Sequence, residues 1–140
     1  MYIDKQNMVS AAQAVTASAG STDYIDLGAA RNIGTSGVTF AITVDQAVTA
    51  AGDATVTFSI QSDDNTSFSS PATVVATGAI GKAELTAGRA PIYLTIPAGM
   101  RPERYLRAYF TVGTGPLTAG QFTVAVVEGE QASRAYPGVL

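Results

Sequence analysis

Cysteine, histidine and tryptophan are all absent from the 140 residues. Without cysteine there are no disulfides and no thiolate metal ligands. Without histidine the commonest general base and the commonest transition-metal ligand are gone. Charge is scarce too: 14% of residues are Asp, Glu, Lys or Arg, against about 25% in an average domain. The 8 basic residues are scattered and are outnumbered by 11 acidic ones, for a net charge of −3. A nucleic-acid binder needs a clustered basic footprint to displace counterions from phosphates, so no nucleic-acid partner is expected. No apolar run reaches the ~18 residues of a membrane-spanning helix, and no membrane partner is expected. The start, "MYIDKQNMVS", has neither the basic beginning nor the apolar centre of a signal peptide. The expectation is a chain made in the cytoplasm and not exported by the usual route.

What is there is alternation. In "GVTFAITVD" (37–45), Val38, Phe40, Ile42 and Val44 alternate with Thr39, Ala41 and Thr43. The same period of two runs through 54–61 (Val56, Phe58, Ile60), 91–97 (Ile92, Leu94, Ile96) and 121–128 (Phe122, Val124, Val126). Segments 23–27 and 72–77 are shorter candidates; in "AAQAVTASAG" (11–20) alanine favours helix, but the thin apolar stripe and the flanking Ser and Gly favour a strand or an extended arm. One apolar and one polar face per strand is the mark of antiparallel sheets with one side on the core. About eight short strands, punctuated by Gly, Pro, Asn and Ser, predict an all-β, single-domain antiparallel two-sheet sandwich of the jelly-roll type. The domain is expected to span 1–140, with 1–20 as a candidate N-terminal arm and 129–140 as a C-terminal tail.

Chemistry is thin. Asp63-Asp64 in "QSDDNTSFSSP" could offer oxygen ligands to Ca²⁺. The spacing lacks the D-x-D-x-D-G order and no Glu in the loop closes it, so turn capping is the expected role and no metal is predicted. Asp23 and Asp26 fall on opposite faces of a strand and do not form a glycosidase pair. Neither a G-x-S-x-G elbow nor a G-x-x-x-x-G-K-[ST] loop occurs. No catalytic activity and no cofactor are predicted.

The strand within "RPERYLRAYFTVGTG" (101–115) raises a sharper question. Leu106, Ala108, Phe110 and Val112 make a core face. Tyr105, Arg107 and Tyr109 share the other. That face reads as a solvated sheet surface, as a protein contact, since Tyr and Arg are enriched at hot spots, or as a sugar platform. Tyr2 and Ile3 are two large apolar side chains near the N-terminus. They read either as pairing with the domain's own sheet or as a docking arm for a neighbour.

The order of three segments resembles tailed-bacteriophage capsid cement, or decoration, proteins. The segments are "MYIDKQNMVSAAQAVTASAGSTDYIDLG" followed by "ARNIG", then "QSDDNTSFSSP", then "ERYLRAYFTVGTGPLTAGQFTV". The resemblance runs from Met1 to about Val127. It implies a jelly-roll structural protein on the outer surface of the virion capsid, made in the host bacterial cytoplasm. It also implies the major capsid protein as partner, and self-association, with a dimer expected over a trimer. Tyr2, Ile3, Tyr105, Arg107 and Tyr109 are the protein-contact candidates. The competing expectation is a carbohydrate-binding jelly-roll module of a phage tail or receptor-binding apparatus.

Overall fold

The computed structural model describes residues 4–30 and 37–128. Ten strands follow in order: β1 (Met8–Ala14), β2 (Ala19–Gly20), β3 (Ile25–Asp26), β4 (Val38–Thr49), β5 (Thr55–Asp63), β6 (Ala72–Ala76), β7 (Ile80–Gly81), β8 (Ile92–Ile96), β9 (Tyr105–Gly113) and β10 (Ala119–Val127). They form two antiparallel sheets. One has the order β1-β10-β4-β8. The other has the order β2-β9-β5-β6, with β3 also on β9 and β7 also on β5. Consecutive strands cross repeatedly between the sheets, and the last strand inserts between β1 and β4. That is the double Greek-key winding of a jelly roll, so the expected sandwich is present.

The alternation explains the packing. On β9, Leu106, Ala108 and Phe110 are buried, as are Val56, Phe58 and Ile60 on β5. From the facing sheet come Phe40, Ile42 and Val44 of β4 with Phe122 and Val124 of β10. Three phenylalanines join the layers. Phe58 meets Phe110 and Phe122 edge-on, at ring-centre distances of 5.9 and 5.0 Å, while Phe110 and Phe122 stack at 5.4 Å. Such pairs add about 0.5–1.5 kcal/mol each beyond area burial.

Segment 8–20 belongs to the body of the domain and is not a free arm. β1 pairs with β10 and buries Val9 and Ser10, and Val15 just after it is also buried. Its register shifts between Ser10 and Gln13. Ala12 there has φ 46° and gives its N–H to the Thr123 hydroxyl at 2.9 Å. Gly37, just before β4, has φ 71°, and an added Cβ there would sit 2.7 Å from the Ile96 carbonyl oxygen. Only glycine accommodates both constraints. Tyr2, Ile3 and the tail 129–140 lie outside the described residues.

Truncating Phe58 or Phe110 to alanine should cost about 3–5 kcal/mol, a large share of the roughly 5–15 kcal/mol that holds a typical domain folded. Urea denaturation checks this. A variant with the parent's midpoint and slope would refute the assignment of these rings to the inter-sheet core.

Candidate functional site

Tyr105, Arg107 and Tyr109 project from the outer face of the second sheet, opposite Leu106, Ala108 and Phe110. The register sets Asp63 beside Tyr105, Gln61 beside Arg107 and Ser59 beside Tyr109. Arg107 is held within its own chain. Its Nε donates to Gln61 Oε1 at 3.0 Å. Its guanidinium lies 4.3 Å from the Phe68 ring centre and 5.1 Å from that of Tyr109. It also passes so close to Gly20 that a Cβ there would sit 2.8 Å from a guanidinium nitrogen. Burial lowers the Arg107 pKa, against the pull of Tyr109 and Asp63, yet an arginine remains a cation at any ordinary pH.

Phe68 comes from the loop 64–71, which folds back over this sheet. The loop is built on Asp63, whose residue is only 1% exposed. Asp63 Oδ1 accepts from the Asp64 N–H at 2.6 Å and from Asn65 Nδ2 at 3.1 Å, and Oδ2 accepts from the Ser70 N–H at 2.8 Å. Asn65 Oδ1 in turn accepts from the Ser67 N–H at 3.1 Å. Phe68 takes φ 50°, an uncommon conformation for a bulky residue, and its ring is buried against Arg107. Turn capping by Asx residues, expected from sequence, is therefore seen in detail. Glu103 was not expected at this loop. It brings a carboxylate oxygen within 4.8 Å of those of Asp63 and Asp64. Both Asp63 oxygens already accept hydrogen bonds from the loop.

At the other end of the face lies a second aromatic group. Tyr24 meets Tyr105 edge-on at 5.3 Å and approaches Phe68 at 6.4 Å. Arg104 stacks over the Tyr105 ring at 5.0 Å and forms a two-pronged ion pair with Asp26, at 2.9 and 3.1 Å. The hydrogen bonds and charge of Asp26 raise the Arg104 pKa. Tyr24 is 46% exposed, one of two large apolar side chains so exposed among the described residues.

The structure thus joins Arg107 to Tyr109 and joins Tyr105 to Tyr24 and Arg104. Sequence reasoning missed Tyr24, Phe68, Gln61 and Gly20. Tyr24 and Phe68 carried a faint signal: each is a lone aromatic in a polar segment. The result is a continuous, pre-packed face of rings and guanidiniums. Arg107 bound to Gln61 and Arg104 bound to Asp26 help to hold it in shape, and its exposed edge carries the Tyr24 ring and the paired charges of Arg104 and Asp26.

Asp63 makes the loop acid-sensitive. Desolvation alone would raise its pKa, but the Ser70 and Asp64 N–H groups together hold it below the ordinary 3.8. A depressed carboxyl contributes stability above the unfolded-state pKa and loses it as pH falls through the folded-state value. Asp63→Asn should therefore lower the melting temperature near pH 7, with the gap to the parent closing below about pH 3.8. Thermal melts across pH 2.5–7 check this, and a gap independent of pH would refute the role assigned to the charge.

No curated protein matches the chain. Residues 9–126 match the protein-family model described as Bbp16, from the start of β1 almost to the end of β10. With most of its length and nearly all its strands inside that match, the chain belongs to the Bbp16 family.

Proposed function

We propose that the protein is a structural virion component that binds the outer surface of a phage capsid and braces the lattice of the major capsid protein. The observation that carries this reading is the pre-packed face of Tyr24, Arg104, Tyr105, Arg107 and Tyr109 on a rigid sandwich. The resemblance of the chain to capsid cement proteins supports it. So does the chemistry of the face, since Tyr and Arg are among the side chains enriched at the hot spots of protein contacts. Rings and guanidiniums already fixed by neighbours lose little freedom on docking, so more of the contact energy appears as affinity.

Bracing follows from linkage. A protein that touches two shell subunits at once adds binding free energy to the closed arrangement and none to a separated pair. A contact of about 1,600 Å² is the usual size for a stable complex. Repeated over a lattice, moderate contacts raise the barrier to rupture because each bound copy resists separation of its neighbours. The net negative charge of the chain suits an outer surface better than one facing packaged DNA.

The test is co-sedimentation with purified heads that lack this protein. The wild-type chain should bind. Tyr24→Ala and Tyr105→Ala should each weaken binding by about 2 kcal/mol, or ~30-fold, while melting close to the parent. Absence of binding, or binding indifferent to both substitutions, would refute the proposal. A glycan-array signal lost on Tyr24→Ala, without head binding, would make the same face a carbohydrate site instead.

A further inference from the structure

β4 outruns its neighbour. It extends from Val38 to Thr49, but β8 pairs with it only over Val38–Ile42. Among the described residues no strand lies against that edge beyond Ile42. The edge is next tied down by the Val48 N–H, which donates to the Leu85 carbonyl at 3.0 Å. Leu85 follows a short 3-10 turn, Lys82–Glu84. Between that turn and the end of β4 lies a groove of about 360 Å³, within the roughly 300–1,000 Å³ usual for ligand sites. Val48 and Leu85, both buried, form its floor, and Ala47, Ala50 and Ala83 line its sides.

Lys82 supplies the charge. Its side chain lines the groove, and its ammonium donates to the Ala50 carbonyl at 2.9 Å. That bond fixes the ammonium in place without neutralising it. Asp53 shares an adjoining hollow of about 150 Å³ with Lys82 and Ala83. Even so, among the described residues no carboxylate oxygen comes within 4.0 Å of the ammonium. A half-buried cation held by a carbonyl and lacking a counter-ion is suited to an anion from outside. The lining chooses the kind of anion. Phosphate and sulfate are polar on every side and would lose water to alanine, valine and leucine without compensation. A carboxylate carried on an aliphatic group meets both parts of the groove. The strand edge favours a polypeptide over a free acid, because an extended chain gains main-chain hydrogen bonds there. A chain end brings its carboxylate and an aliphatic side chain from one and the same residue.

We infer that this groove binds the C-terminal end of another polypeptide. The free α-carboxylate meets Lys82, and the small aliphatic side chain of the last residue rests on Val48 and Leu85. The inference does not rest on the capsid reading. The groove adjoins the start of β5, where Thr55 pairs with Gly81. The aromatic face lies beside Asp63, at the other end of that strand.

The test is fluorescence anisotropy with labelled hexapeptides ending in alanine, valine or leucine, each as the free acid and as the amide. At least one free acid should bind, at least about tenfold more tightly than its amide. Lys82→Met keeps an apolar side chain, removes the charge and should erase that difference. Ala47→Leu leaves Lys82 in place and fills the groove from an exposed position. It should weaken the free acid by a similar factor while melting close to the parent. Butanoate, used as a competitor, should bind at least about tenfold more weakly than the best peptide. The inference is overturned if no peptide binds, if acid and amide bind equally, if butanoate matches the best peptide, or if either variant binds like the parent. The comparison of acid with amide uses the wild-type chain, so it decides even if Lys82→Met fails to fold.

Discussion

Contact among Phe58, Phe110 and Phe122 is the constraint on which the rest depends. Two of these rings belong to one sheet and one to the other, so they are the point where the layers are held in register. Edge-on and stacked rings accept only a narrow range of sheet separation and angle. That fixes how β9 sits over β10. The position of β9 in turn fixes where its opposite face points, because side chains on a strand alternate strictly. The aromatic and arginine surface outside the sheet is therefore aimed by a core contact beneath it.

The outer face then gains its shape from a buried carboxylate. Asp63 closes β5 and organises the loop that carries Phe68 onto Arg107. Without that loop, Arg107 would be a long side chain on an open sheet, free to sample many rotamers. With it, the guanidinium lies between two rings and is tethered to Gln61. The same device recurs with Arg104, held by Asp26 over Tyr105. Both arginines lend rigidity to neighbouring tyrosines, so the face behaves as a surface of fixed relief rather than a fringe of mobile charges.

Much of this was legible in the sequence, and the gaps have physical causes. The core face of β9 was readable because Leu106, Ala108 and Phe110 alternate without interruption. β1 was not, because its register shift and the left-handed backbone at Ala12 put Val9, Ser10 and Val15 inside without a clean period of two. Tyr105, Arg107 and Tyr109 were placed together on one face by the same alternation. Their partners were invisible. Phe68 reaches Arg107 through a loop whose path is set by hydrogen bonds to one aspartate. Tyr24 and Glu103 approach through pairings between segments far apart in the chain. Local pattern reports which way a side chain points, not which distant segment arrives to cover it.

The winding has a consequence for how the protein comes into being. β10 lies between β1, near the start of the described chain, and β4. During synthesis the first sheet cannot assemble in its final order until Ala119–Val127 have left the ribosome. Until then β1 and β4 each lack a neighbour, and the apolar sides of both sheets lack Phe122 and Val124. Folds dominated by such distant pairings form over milliseconds to seconds, not microseconds. The nascent chain must therefore carry uncovered strands for most of its synthesis. Its scarcity of charge, harmless once the sandwich has closed, makes that interval the period of greatest exposure to misassociation.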